Sequence, residues 1–296
     1  MLSVLIPIHN YTVTPLVTEV HRQLSDCNIM FEIICLEDGS NLKYINTNTT
    51  IERLPYTKHI INKTNIGRTQ TRQELSNRAQ FEWLLFLDAD VLPCQPSFIS
   101  NYLKYLTSNY KAILGGINYK DQNSNPEHSL RWKYGKRQEV VDYSVRNKKP
   151  YKSIVSANIL IKKSIFTSIN NKMTYNAYGY DNYFGSALKE KNISLLHINN
   201  EVYHLGLEPN TVFLKKQEQA AQTLLKLYKQ DKIKKHDNNL LSLFLFLKRS
   251  KTNHVLTIFY KAFKNNMKTQ LLGKTPSIKL LQLYRISYMC YIDKTA

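Results

Sequence analysis

The chain is short of acid. Its 22 Asp and Glu face 41 Lys and Arg, a formal net charge of +19. That balance implies an anionic partner: nucleic acid, a membrane surface, or phosphorylated substrates. Cysteine is scarce too, with Cys27, Cys35, Cys94 and Cys290 scattered and no C-x-x-C pair. Neither a zinc knuckle nor a disulfide framework is suggested, and a reducing, cytoplasmic compartment is the simplest expectation. Long apolar runs are missing. The longest, Leu240 to Leu247, is far too short to span a bilayer. The chain opens on a strand-like run, Leu2 to Ile8, rather than on a secretory leader. Internal repeats and low-complexity tracts are also absent.

What is present reads as one large domain or two smaller ones. With 43% hydrophobic and 21% charged residues in 296, the composition is that of an ordinary globular protein able to bury a sizeable core. Short apolar runs recur at 2–8, 31–36, 59–61, 83–87 and 112–119. Segments with helical spacing lie between them, notably Pro15 to Leu24 and Gly67 to Ala79. This alternation predicts βαβ units and a mostly parallel sheet, whose ligand crevice lies beyond the carboxyl ends of the strands.

The polar stretch from about Asp121 to Tyr151 reads as loop or lid. A strand is expected at 153–161, a turn through Gly179 into a helix at 176–192, strand and loop over 193–207, and a helix from Asn210 to about Lys232. From residue 238 onward ten Lys and Arg face one acid, Asp293, and apolar and cationic residues alternate at helical spacing. We therefore expect one domain over 1–232 and a basic, mostly helical region over 233–296.

The apolar run ending at Leu87 stops on two carboxylates, Asp88 and Asp90. Burying unpaired carboxylates is costly, so they need a cation, an Arg or Lys, or open water. A hard divalent cation suits them, with phosphate oxygens and water completing its coordination. The plain alternative is an exposed turn in which Asp88 caps the next segment.

Asp-x-Asp does not stand alone. "SVLIPIHN", "EDGS", "NIGRTQTRQELSNRA", "GGINY", "SANILIKKSIF", "GYDNYFG" and "VYHLG" occur in an order that resembles the family 2 glycosyltransferases, inverting enzymes of the GT-A fold, over roughly residues 2–230. The resemblance implies an α/β fold, a mostly parallel twisted sheet with flanking helices. It implies a nucleotide-sugar donor, in particular a UDP-sugar, and Mn²⁺ or Mg²⁺ as cofactor. Pro7, His9 and Asn10 would line the nucleoside pocket. Asp38 would accept a hydrogen bond from the base, as in relatives that bind uracil, with Glu37 standing where many members carry Asp. Arg72 would help hold the nucleotide, and Asn65 and Gly67 would shape its loop.

Asp90 would ligate the metal directly, with Asp88 nearer the sugar or ribose. His204 falls where several relatives place a further metal ligand, although a lone His is as readily structural. Aligning the family's Phe-Gly with Phe184-Gly185 puts Asp181 in the place of the general base and Tyr180 in that of a Glu that often contacts the acceptor. Read alone, Asp181 could equally be a helix N-cap. Trp83 and Trp132 carry no assigned chemistry.

The acceptor implied is a glycan or lipid-linked glycan. For the basic tail two readings compete: a packed helical subdomain with a solvated face, and docking on an anionic membrane surface at the inner face of the membrane. Nucleic acid is the least supported partner, since no nucleic-acid motif accompanies the charge. The rival from another class is a catalytically silent nucleotide-sugar binder or scaffold with the same fold.

Overall fold

The structure, a computed structural model, describes residues 1–121, 125–172 and 178–295. Residues 122–124 of the polar stretch and 176–177 at the head of the expected turn-to-helix segment lie outside the described residues.

Ten strands are described: β1 (Leu2–Ile8), β2 (Phe31–Asp38), β3 (Thr57–Asn62), β4 (Trp83–Leu87), β5 (Val91–Pro93), β6 (Ala112–Leu114), β7 (Ile117–Asn118), β8 (Asn158–Lys162), β9 (Leu195–His197) and β10 (Val202–His204). Seven form one sheet in the order β3-β2-β1-β4-β8-β6-β9, and β5-β10-β7 form a small second sheet. β1, β2, β3 and β4 run parallel, while β8 is antiparallel to both β4 and β6.

Helices α1 (Thr14–Asp26), α2 (Leu42–Asn48), α3 (Arg68–Arg78) and α4 (Phe98–Leu103) connect the first half. α5 (Ser129–Tyr134), α6 (Tyr143–Lys148), α7 (Lys163–Asn170) and α8 (Asp181–Glu190) belong to the second. α9 (Asn210–Lys229), α10 (Asn239–Arg249), α11 (Asn253–Leu272) and α12 (Ile278–Thr295) end the chain. No helix among the described residues is long and apolar enough to cross a membrane.

The central strands are apolar on both faces because helices cover both, as parallel sheets require. Alternation along β1 sorts its side chains between two cores. Val4, Ile6 and Ile8 pack with α1 and α4 residues on one face, and Leu5 packs with Leu75 and Phe86 on the other. β2 and β4 flank β1, so the strand order reverses between β1 and β4. That reversal is the switch point at which open sheets of this kind leave a crevice.

Four expectations need correction. The run 112–119 is two strands, not one. Gly116 adopts φ +91° between them, and a Cβ there would press on the Arg146 guanidinium at 2.6 Å. The strand expected at 153–161 begins only at Asn158, after a turn. The stretch 121–151 is not a plain loop, for it holds α5, a π-helical turn (Gly135–Glu139) and α6. Its helices are one to two turns long, too short for apolar periodicity to register, and they are anchored by buried polar groups. Arg146 donates to the carbonyls of Val141 (2.9 Å) and Ile198 (3.0 Å) and to His197 Nδ1 (3.0 Å). The helix expected to about Lys232 ends at Lys229.

His197 is thereby held neutral. Its Nδ1 accepts from Arg146 while Nε2–H donates to the Pro150 carbonyl (2.8 Å). Burial, helped by the Arg146 charge, pulls its pKa down to about 4. The unfolded imidazole takes a proton near pH 6.5 and the folded one does not. Stability is therefore full above about pH 6.5 and falls by up to about 3 kcal/mol as the pH drops to about 4. Following the His197 ring protons by NMR checks this; a midpoint near 6.5 would contradict it.

The last helices form their own core, continuous with the rest. Tyr260, Tyr284 and Leu281 pack with Phe213 and Leu214 of α9 and with Leu130 of α5. A second cluster joins Leu241, Phe244, Ile286 and Met289 to Leu224 of α9 and to Tyr180.

Candidate functional site

The loops beyond β1, β2 and β3 interlock. His9 Nδ1–H donates to the Asp38 carbonyl (2.9 Å), and Asn65 Nδ2 donates to the same oxygen (3.0 Å). Asn10, with φ +53°, donates its N–H to Ser40 Oγ (2.9 Å) and accepts from the Asn41 N–H (2.8 Å). The Asp38 carboxylate accepts from the N–H groups of Ile66 (2.7 Å) and Gly67 (2.9 Å). It therefore holds the 65–67 loop at the head of α3. Glu37 points the other way. Fully buried, it accepts from Asn48 Nδ2 (2.7 Å) and meets His59 Nε2 (3.2 Å). Burial would raise its carboxyl, but bonds from His59, Ser40 and Asn48 outweigh that and hold it below the usual value. Asn48 also accepts from the Val13 N–H and donates to the Tyr11 carbonyl, so Glu37 braces the Tyr11 loop from below.

Arg68 and Arg72 are four residues apart on α3 and so share a face. Both reach Asp88: Arg68 Nη2 donates at 2.7 Å, and Arg72 Nη2 bonds the other oxygen. Arg68 also reaches Ser156 Oγ (3.1 Å). Burial acts to raise the Asp88 carboxyl, yet Arg68, Arg72 and His204 together keep it below the ordinary carboxylate range. Burial brings Arg72 down to about 10, which leaves it charged at neutral pH. Asp88 is therefore paired, not an exposed cap.

Asp90 meets His204 instead. β10 pairs antiparallel with β5, setting His204 opposite Val91, and Asp90 Oδ2 lies 3.5 Å from His204 Nε2. Tyr119 stacks on the imidazole, centroids 5.6 Å apart. A Cβ on Gly206 would overlap the Asp90 carboxylate, so the glycine keeps room for it. Burial raises Asp90 and lowers His204, disfavouring charge on both, a condition that a bound cation relieves. Two ligands of one hard cation at about 2.1 Å sit about 3–3.5 Å apart, so this pair fits one. No group of three His, Cys, Asp or Glu placed to hold one metal ion occurs among the described residues. Two protein ligands leave positions for substrate oxygens and water.

These residues line connected clefts. One is bounded by Pro7, His9, Asp38, Asn65 and Gly67 together with Asp88 and Asp90. Arg68, Asp88 and Asp90 also face a second, polar cleft that holds His204 and Asp181. Arg72 opens on an adjoining apolar cleft, again with Asp181. Asn10 supports the loops without lining any of the three. Asp181 is the first residue of α8, with Tyr180 rather than Asp181 in the N-cap position. Tyr180 is turned into the C-terminal core.

Sequence reasoning missed three groups. Arg68 carries a signal, its place one turn before Arg72 in "RTQTR". Tyr11 and Lys216 have none beyond residue type, though both line the first cleft, and Lys216 also pairs with Glu208 (2.6 Å). Trp132 is packed, its Nε1–H donating to the Lys120 carbonyl (2.9 Å).

Comparison with known proteins gives a consistent result. The sequence profile described as "Glycosyl transferase family 2" matches residues 3–169, more than half of the chain. No curated protein sequence matches. Among solved structures, a mannosyltransferase from Pyrobaculum calidifontis, in complex with GDP-Man and Mn²⁺, is similar at 11% identity and TM-score 0.55, over 77% of this chain and 64% of that one. Glucosyl-3-phosphoglycerate synthase from Mycobacterium tuberculosis, in complex with Mg²⁺ and UDP, is similar at 14% identity and TM-score 0.53, over 76% and 78%. S. aureus TarS 1-349, in complex with UDP, is similar at 15% identity and TM-score 0.50, over 76% and 65%. The chain spans less than two thirds of the mannosyltransferase and TarS chains. At these identities the likeness establishes the fold, an α/β fold of the GT-A type.

Proposed function

Because the chain belongs to glycosyl transferase family 2, we propose that it transfers a sugar from a nucleoside diphosphate-sugar, a UDP-sugar first, to a hydroxyl of a glycan or lipid-linked glycan, with inversion. One observation carries the reading. The carboxyl ends of β1 and β2 and the loops after β1, β3 and β4 bring Pro7, His9, Asp38, Asn65, Gly67, Asp88 and Asp90 to one cleft, next to a second that holds His204 and Asp181. The similar structures solved with UDP or GDP-Man and a divalent cation support the donor class.

The nucleoside lies against Pro7 and His9, on the loops that Asn10, Asp38 and Asn65 hold in place. Asp90 and His204 are the residues that would hold Mn²⁺ or Mg²⁺, and the ion there would neutralise charge growing on the leaving diphosphate. Arg68 and Lys216 add positive charge on the same side. Asp181 takes the acceptor hydroxyl's proton as that oxygen bonds to the anomeric carbon and the carbon–diphosphate bond breaks on the opposite face.

A thermal-shift titration with UDP and GDP, with and without Mn²⁺, tests the donor half. A ligand at about 100 times its Kd adds about 2.7 kcal/mol, a rise of several degrees for a chain of this size. We expect UDP to raise the melting temperature only with metal, and Asp90→Ala to remove that rise. If no nucleotide moves the melt, the diphosphate site is wrong.

A further inference from the structure

The surface of the last helices is unusual in two ways at once. Between residue 238 and the end the only acid is Asp293, against ten Lys and Arg. The Asp293 side chain is 7% exposed and pairs with Lys229 (3.2 Å) and Lys248 (3.0 Å). No acidic side chain of this region is therefore free at its surface. On that same surface large apolar side chains stand in solvent: Phe246 of α10 at 64% exposure, and Val255 and Ile258 of α11 at 65% and 68%.

They are not scattered. In α11 the buried residues Asn253, Thr257, Tyr260, Met267 and Leu271 define one face, and Val255, Ile258 and Ala262 repeat at i, i+3, i+7 on the opposite one. Phe246 lies one turn before the bend that joins α10 to α11, and Val255 lies one turn after it. Arg249 and Lys251 sit within or beside that bend, and Lys261 and Lys264 come after it, all four exposed. Lys251 has φ +61°, and Ser250 and Thr252 bond across it (2.7 Å). The bend is thus a formed turn with exposed apolar and cationic side chains on the helices that flank it.

We propose that the α10–α11 hairpin docks on an anionic lipid bilayer, with Phe246, Val255 and Ile258 entering the interface and the surrounding Lys and Arg meeting lipid phosphates. Charge decides between the occupants. A second copy of this chain would set Arg249, Lys251 and Lys261 against like charges. A nucleic-acid backbone satisfies the cations but gives the aliphatic side chains nothing to enter. An anionic interface accepts both.

Docking depends on this face alone and does not require the transferase reading. If that reading also holds, the geometry suits a lipid-borne acceptor. His236, Asp237 and Asn238 line the cleft that contains Asp181, and α10 begins directly after them. An eleven-residue helix, about 16 Å long, then leads to the docking tip.

Flotation of the full chain with vesicles tests the proposal, using phosphatidylcholine alone or mixed with phosphatidylglycerol. Wild type is expected to float with the mixed vesicles and to stay behind with phosphatidylcholine. F246S/I258S should partition about tenfold more weakly. K251E/K261E should lose about fivefold or more for each cation reversed. All four positions are exposed, so both variants should keep the wild-type melt by circular dichroism. No flotation of wild type at low salt would overturn the proposal, as would serine variants that bind as well as wild type. A wild-type dimer that the serine pair converts to monomer would show that a second copy covers the face instead.

Discussion

Asp181→Asn is expected to lower kcat by about 100- to 10,000-fold while nucleotide affinity stays within about twofold of wild type, the range a positioned general base contributes. The carboxylate stands at the first turn of α8 with no hydrogen-bond partner among the described residues. It shares its clefts with Arg68, Asp88, Asp90 and His204. Its structural duty is slight, since a carboxylate at a helix start contributes only about 0.3–1 kcal/mol. A stability change of that size cannot imitate a thousandfold loss of rate. Product formation and calorimetric nucleotide binding together decide. Unchanged turnover would remove Asp181 from the chemistry, and loss of binding along with turnover would make it a donor-site residue.

Asp88→Ala should be the most destabilising single change at the site, by about 3–5 kcal/mol, because it strands a buried charge. The Arg72 side chain is 8% exposed, and its Nε already lacks a partner. Without Asp88 its terminal nitrogens keep, among the described residues, the Ser156 carbonyl at 3.4 Å. Arg68 differs, with its side chain 47% exposed, so water takes over its half of the arrangement. Arg68→Ala should therefore cost at most about 1 kcal/mol. Urea unfolding of the two variants makes the comparison. Equal costs would mean that Asp88 does not support Arg72.

The Tyr180 departure has a structural account. Tyr180 packs in the core shared with Leu224, Phe244 and Met289. The residue that precedes the proposed base thus ties α8 to the C-terminal helices. His236, Asp237 and Asn238 line the polar cleft that holds Asp181.

What could be read from the sequence is what local burial dictates. β1, β2 and β4, helices α1, α3 and α9, and the place of Asp88 and Asp90 at a strand end all come from apolar runs and their periods, because burial of a face leaves its mark within a few residues. The helices of 121–151 left no such mark, being too short to show a period and held by buried Arg131 and Arg146 rather than by apolar faces. Partnership of polar groups was not legible either. The family resemblance puts Asp90 and His204 at one metal, but that Asp88 belongs to two arginines, that Glu37 turns inward to His59 and that Asp38 holds the 65–67 loop depends on strand order. Those contacts join segments far apart in the chain. Chain neighbours decide whether a residue is buried; only the closed tertiary structure decides which charge it meets there.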